Sequence, residues 1–316
     1  MKSITSPIAS LSLNPAIDLT YEIGCLQHDQ KIRATSASYD PGGTGINVGR
    51  ALEKLNANSF TCCITAGKMG EFLCSMLKQE LSSVITLQID GETRINTTLV
   101  QNNPPNQYEI NAVGPYVTSA QLDSISSQFL TLCQGGIGVL TGSLPPGVPD
   151  TAYQSISAAL LEQGTRSIID APVAVMKAAL HSKPFLIKPN WHEMEILQNK
   201  TLATIEQVAE EARVLVKQGA TYVCVSLAEK GALLTGETNT YYCNSPNIEV
   251  NSTVGAGDSL VAGLAYAFAL NRGPEQALGF AVACGAGTAM QAGTQLFSKN
   301  DLEKLSKEIK IKVLDI

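Results

Sequence analysis

The sequence predicts an α/β fold built on a mainly parallel sheet covered by helices on both faces. Three observations carry this reading. Short apolar strand-like runs alternate with helical patterns through the second half of the chain. Polar residues follow several of these runs, where open α/β sheets bind their ligands. Two glycine-rich turns, at 41–47 and 252–259, each open a helix.

Ile8 to Leu13 reads as the first strand and runs into Asn14-Pro15-Ala16-Ile17-Asp18. Leu19 to Tyr39 alternates irregularly, carries Lys31 and Arg33, and reads as short strands away from the main sheet. Pro41-Gly42-Gly43-Thr44-Gly45-Ile46-Asn47 then leads into an amphipathic helix from Val48 to Leu55. Phe60–Ala66 reads as a strand and Gly70–Leu81 as a helix. Thr93–Val100 is rich in β-branched residues and can pair with Gln107–Ala112 across an Asn-Pro-Pro-Asn turn. Further strands are expected at Ile137–Leu140, Ser167–Asp170, Phe185–Lys188 and Tyr222–Leu227, with helices starting near Thr118, Thr151, Val173 and Thr204. Gly263 to Met290 is rich in Ala and Gly, which suits closely packed helices. No internal repeat, low-complexity tract or linker is evident, so residues 1–316 read as a single domain with a small β excursion.

The chemistry centres on Ser252-Thr253-Val254-Gly255-Ala256-Gly257-Asp258-Ser259. Glycine permits a sharp turn and close backbone approach. The first N–H groups of a helix lack intrahelical partners and suit a phosphate. An acid there can take a proton from a hydroxyl that attacks phosphorus. Alone, Asp258 reads more readily as an ordinary first-turn acid. Other strand ends add Asp18, Gly142-Ser143, and Lys188-Pro189-Asn190 with Glu193. Asn190 and Glu193 share a helix face if a helix starts there. Such oxygens suit Mg²⁺, which takes few protein ligands, although the pair alone more often caps a helix. Lys31, Arg33 and Arg94 read singly as solvated charges; together they bring cations to the excursion, as a phosphorylated substrate needs.

Composition narrows the field. Hydrophobic residues make up 44% and charged residues 16%, which fits a well-buried globular protein, and the net charge of −6 gives no footprint for nucleic acid or an anionic membrane. The eight cysteines show no C-x-x-C spacing and read as reduced thiols. His28, His181 and His192 show neither metal spacing nor a nucleophile partner and read as surface residues. There is no G-x-x-x-x-G-K-[ST] and no G-x-G-x-x-G after the first strand, which sets aside P-loop and dinucleotide-binding folds. With no signal-peptide pattern and no membrane-length apolar run, a soluble cytoplasmic protein is expected.

The motifs, in order, resemble the phosphofructokinase B (PfkB) branch of the ribokinase-like sugar kinases. They are Leu13 to Asp18, Pro41 to Val48, Thr93-Arg94-Ile95-Asn96, Gly142-Ser143-Leu144-Pro145-Pro146-Gly147, Lys188 to Glu193, Val225 to Ala232, and Thr253 to Ser259. Each is weak alone; in series they are specific. The resemblance implies a three-layer α/β/α domain with a small β lid from about 19–40 and 93–113, and a homodimer through that lid. It implies transfer of the γ-phosphoryl of ATP, with Mg²⁺, to a phosphorylated ketohexose, and leaves open a monovalent cation such as K⁺. Asp258 would be the general base, and the N–H groups of Gly255, Ala256 and Gly257 the anion hole. Asp18, Gly42, Gly43 and Asn47 would hold the sugar, and Arg94, Lys31, Arg33 and Ser143 its phosphate. Lys188, Asn190 and Glu193 would serve the triphosphate and its Mg²⁺, and Ser226 and Gly231 the nucleotide.

The substrate signals are mixed. Relatives acting on fructose 1-phosphate or tagatose 6-phosphate carry lysine third in the Gly-Gly-Lys-Gly loop, where this chain has Thr44. Lys31-Ile32-Arg33 and Pro41-Gly42-Gly43 look like the minor 6-phosphofructokinase type, whereas Asn14-Pro15-Ala16 and Arg94-Ile95-Asn96 look like the 1-phosphofructokinase type. Fructose 6-phosphate is the expected substrate. Tagatose 6-phosphate and fructose 1-phosphate are the same-class rivals, and a non-catalytic sugar-phosphate sensor is the rival of another class. After Asp170, where relatives carry Ser and Gly, this chain has Ala171-Pro172-Val173.

Overall fold

The computed structural model describes residues 6–315, so the outermost residues of the expected 1–316 domain lie outside it. β1 (Ile8–Ser12) is followed by β2 (Ala16–Ile23), β3 (Ser36–Gly42) and α1 (Thr44–Lys54). Next come β4 (Ser59–Ala66), α2 (Gly67–Glu80), β5 (Val84–Ile89), β6 (Arg94–Asn102) and β7 (Pro105–Ile110). The chain continues through α3 (Ser119–Leu132), β8 (Ile137–Thr141), α4 (Ala152–Glu162), β9 (Arg166–Asp170) and α5 (Val173–Ala179). It then forms β10 (Leu186–Ile187), α6 (Trp191–Gln198), α7 (Ile205–Lys217) and β11 (Tyr222–Ser226). β12 (Ala232–Thr235), β13 (Thr240–Cys243), α8 (Ala256–Ala269), α9 (Pro274–Ala289), α10 (Lys299–Leu305) and β14 (Ile311–Leu314) complete it.

Among the described residues the main sheet has the order β14-β13-β12-β11-β10-β9-β8-β1-β4-β5. Pairing is parallel from β11 through β5 and antiparallel from β11 outward to β14. Because the chain leaves β1 toward β4 on one side and later fills β8 onward on the other, the strand order reverses at β1. At such a switch point the flanking loops diverge and leave a crevice at the carboxyl ends of the strands.

Strand periodicity divides the core. Leu11, Leu140, Ile169, Ile187 and Val223 face a cluster with α3, α4, α5 and α7; Ile8, Val139, Ile168, Leu186 and Cys224 face one with α1, α8, α9 and α10. Both sets are fully buried, so these strands read as continuous apolar runs rather than alternating ones. The result is the expected three-layer α/β/α arrangement. The Ala- and Gly-rich segment forms α8 and α9, and Gly263 lets them approach closely: a Cβ there would stand 2.7 Å from Ala281 Cα.

The second sheet has the order β3-β2-β6-β7 and uses both excursion segments. β6 runs parallel to β2, with Asp18 opposite Asn96 on one side and Asp40 on the other. Several boundaries differ from the sequence reading. α1 begins at Thr44 rather than Val48, because Gly43 at φ 104° completes the turn and its carbonyl already accepts from Ile46 and Asn47. Asn47 is thereby a first-turn residue. β10 has only two residues, framed by Pro184 and Pro189, which cannot donate to a ladder. β5, β12, β13, β14 and α10 were not anticipated. No helix among the described residues is long and apolar enough to cross a membrane.

Candidate active site

The carboxyl ends of the strands around the switch point deliver the site. β1 ends in Ser12 and leads to Asn14, β8 leads to Gly142 and Ser143, β9 ends in Asp170, and Lys188 follows β10. α8 points its N-terminus at this edge, with Gly255 in the left-handed region at φ 76° and Asp258 in the first turn. Asn47 on α1 donates from Nδ2 to Asp258 Oδ2 at 2.8 Å. This bond joins two glycine-rich turns more than 200 residues apart in sequence.

Asp258 is half-buried in exposure. Burial, with the charge of Asp170 next, pushes its carboxyl up to about 7, against the Asn47 hydrogen bond and Lys188; Asp18 adds a smaller push upward. A carboxylate brought close to neutrality is poised to accept a proton. Lys188 and Asp170 form an ion pair at 3.2 Å with both side chains largely buried. Burial opposes the Lys188 charge, but Asp170 and Glu193 outweigh it and keep the ammonium protonated. That ammonium stands 3.9 Å from the point where a Gly257 Cβ would lie, so it faces the start of α8.

A polar cleft of about 290 Å³ is lined by Ser12, Asn14, Thr44, Arg94, Asn111, Gly142 and Ser143. Arg94 donates to Asn14 O from Nη2 at 2.8 Å and from Nε at 3.2 Å, and to Ser143 Oγ at 3.4 Å. Asn14 Nδ2 donates to Ser143 Oγ at 3.2 Å, while its buried Oδ1 has no partner. Beside this cleft, Asp18 accepts from Asn96 Nδ2 at 3.0 Å; burial raises its carboxyl while Asn96 and Arg94 oppose the rise. Gly42 is required here, because a Cβ would overlap the Asp18 carboxylate.

A larger groove, of about 980 Å³, is lined in part by the start of α8. Asn190, Ser226, Gly231 and Gly257 line it with the apolar Ile248, Leu260, Val282 and Ala286. Gly231 has φ +95°, and a Cβ there would collide with Cys243 O. Trp191, the sole tryptophan, forms part of the wall with Lys230 Nζ 4.8 Å above its ring.

The expected site residues therefore gather in three adjoining places, apart from Lys31, Arg33 and Glu193. Lys31 and Arg33 lie exposed on the β2–β3 connection and do not line the cleft. Asn190 and Glu193 form a reciprocal capping box on α6: Glu193 N donates to Asn190 Oδ1 and Asn190 N to Glu193 Oε2, both at 2.8 Å. Among the described residues no cluster of three or more His, Cys, Asp or Glu side chains is arranged for a metal. Glu193 stands within electrostatic reach of Lys188, and a Mg²⁺ at this edge would take most of its ligands from phosphate and water oxygens. Asn14, Asn96 and Asp170 carry no role in the sequence reading: Asn14 and Asn96 lie inside quoted motifs, and Asp170 is the last residue of β9.

The pfkB family carbohydrate kinase model matches residues 10–301. The chain belongs to that family. The 1-phosphofructokinase of Bacillus subtilis (strain 168) is 32% identical over 306 residues, covering 96% of this chain and 99% of the relative. The ATP-dependent 6-phosphofructokinase isozyme 2 of Escherichia coli (strain K12) is 33% identical over 300 residues, covering 94% and 97%. The crystal structure of phosphofructokinase-2 from Escherichia coli in complex with potassium superposes with a TM-score of 0.90 at 32% identity, covering 96% of this chain and 98% of that one. The ribokinase-like fold expected from the motifs is the one found. As a pfkB chain with relatives of both kinds at nearly equal identity, it retains the mixed substrate signals seen in its motifs.

Proposed function

We propose that this protein is a fructose-phosphate kinase that moves the γ-phosphoryl of ATP to a sugar hydroxyl, with fructose 6-phosphate as the favoured acceptor and fructose 1,6-bisphosphate as product. The observation that carries the reading is Asp258, raised toward neutrality and held by Asn47 in the first turn of α8, next to Ala256 and Gly257, which line the larger groove. Relatives named as fructose-phosphate kinases support the class.

In this reading the sugar lies between Asp18 and Asn47, and its phosphate takes the cleft beside Arg94 and Ser143. ATP occupies the groove, with its base end against the small residues of α9 and its triphosphate toward Lys188 and Gly257. Asp258 removes the proton of the attacking hydroxyl. The N–H groups at Gly255, Ala256 and Gly257, with Lys188, stabilise charge on the transferring phosphoryl. Asn190 and Glu193 would be the residues to hold Mg²⁺, which when bound would supply charge neutralisation at the triphosphate. The unpartnered Asn14 Oδ1 is an acceptor available to a bound sugar. A monovalent cation is included as an activator, by likeness to the relative crystallised with potassium. A cytoplasmic homodimer formed through the second sheet, acting as a lid, completes the proposal.

The test is ADP release with ATP and Mg²⁺, comparing kcat/KM for fructose 6-phosphate, fructose 1-phosphate and tagatose 6-phosphate. Preference for fructose 6-phosphate is expected. Preference for a rival keeps the mechanism and changes the substrate. Tight sugar-phosphate binding without turnover of any of them makes the protein a sensor.

A further inference from the structure

Asn47 carries its amide between two charges. Its Nδ2 donates to Asp258 Oδ2, and its Oδ1 accepts from Arg50 Nη1 at 3.4 Å. A primary amide has one donating and one accepting face, so a carboxylate on one side and a guanidinium on the other favour a single orientation. Turned over, the amide would set NH₂ against the guanidinium and oxygen against the carboxylate. Arg50 is itself held from two further directions. Its Nε donates to Glu80 Oε2 on α2 at 2.6 Å, and its Nη1 to Thr294 O, beyond α9, at 3.3 Å. Its side chain is 9% exposed, and it lines neither cleft nor groove. This buried cation therefore spans α1, α2 and the post-α9 loop, and its charge also reaches Asp18, where it opposes the rise that burial imposes on the carboxyl.

We propose that Arg50, braced by Glu80, is a positioning residue that fixes the Asn47 amide so that its N–H stays on the Asp258 carboxylate. The role rests on the reading of Asp258 as general base. A guanidinium suits it because its fork offers Nε to Glu80 and Nη1 to Asn47 and Thr294 together; a lysine ammonium is a point donor that cannot span these partners.

The groups facing Asp258 make this bond consequential. Asp170 from β9 and Asp18 from β2 disfavour its charged form, as does burial; Asn47 from α1 and Lys188 after β10 favour it. Loosening Asn47 removes one of the two favourable contributions, so the base should titrate higher.

The experiment is kcat against pH, at saturating substrates, for wild type, Arg50→Gln, Arg50→Lys and Glu80→Gln. Arg50→Gln should move the acidic limb upward by about one pH unit. The rate near pH 6 then falls about tenfold, while the rate near pH 9 stays within about twofold and KM for ATP is unchanged. Arg50→Lys should recover only part of the loss. Glu80 is 38% exposed and remote from the cleft, so Glu80→Gln keeps the fold and should shift the limb the same way, by less. A uniform fall at every pH, or an unmoved limb in both Arg50→Gln and Glu80→Gln, overturns the proposal. A wild-type profile that is flat through neutrality withdraws Asp258 as base and, with it, this role for Arg50; that outcome is distinguishable because it appears before any substitution is made.

Discussion

Asp258 joins three roles in one side chain: first-turn residue of α8, acceptor from Asn47, and a carboxyl pushed up to about 7 by burial. The sign of its effect on stability follows. A carboxyl whose folded value lies above its ordinary value of 3.8 contributes stability below that value and loses it as pH rises toward about 7. In the proposed role activity runs the other way, since a base must be deprotonated. The wild-type rate should thus rise with pH through neutrality while this group's contribution to stability falls. Asp258→Asn should lower kcat by roughly 10²–10⁴ with substrate binding retained. The same variant should be more stable than wild type near pH 8, by about 1–3 kcal/mol, because it no longer confines a charge there. Rate assays and thermal melts at two pH values check both halves; a faster or less stable variant removes Asp258 from this role. Arg94 makes a separable contribution. Arg94→Ala should raise KM for the sugar phosphate about tenfold or more while leaving KM for ATP near wild type, as expected for losing a charge-assisted contact. Equal effects on both substrates would move the phosphate site elsewhere.

At the scale of elements, the nucleotide-side turn after β11 contains a local conflict. Ala228 sits at φ 53°, in the left-handed region, whereas Gly231 three residues on sits at φ +95° with no room for a Cβ. Ala228→Gly should therefore stabilise the protein by about 0.5–1 kcal/mol, the left-handed penalty less the added freedom of the unfolded chain. Gly231→Ala should destabilise it by more than about 2 kcal/mol, through both strain and collision with Cys243 O. Denaturant unfolding of the two variants should shift in opposite directions. The same pair illustrates what was legible in the sequence. Gly231, Gly42 and Gly255 were readable because glycine at a motif turn announces its own constraint. The parallel strands β1, β8, β9 and β11 were readable because burial on both faces leaves continuous apolar runs. β12, β13 and β14 were not, since four-residue strands at the antiparallel end carry little periodicity. The start of α1 was misread by four residues because Thr-Gly-Ile-Asn lacks helix formers, yet Gly43 supplies the turn. Asp170 gave no signal of its own: only the fold brings it to Lys188.

At the scale of the whole molecule, the proposed homodimer would put assembly and chemistry on the same sheet. Successive residues of a strand face opposite sides, so Asp18 and Asn96 share one face while Leu19, Leu99, Tyr108 and Ile110 share the other. The first face holds the Asp18 carboxylate within electrostatic reach of Arg94, which lines the polar cleft. The second is covered by α2 at the end that carries Ile17, Ile95 and Tyr39, whose ring meets Phe72 at 5.9 Å, and leaves Ile110 59% exposed and Tyr108 37% exposed. A second copy seated on this apolar face would bury it and stiffen β2 and β6, the strands that hold Asp18 and Arg94. Sedimentation of the wild-type protein should then give twice the chain mass at micromolar concentration. Ile110→Arg, which sets like charges against each other across a two-fold contact, should shift it toward the single chain. Because the groove proposed for ATP is lined by α8, α9 and residues next to β11–β13, ATP binding read from Trp191 fluorescence should survive in that variant. Its kcat/KM for the sugar phosphate should fall by about tenfold, as expected when a positioning element loosens. A wild-type monomer with full activity would separate assembly from catalysis, and the sheet would then serve the cleft from within one chain.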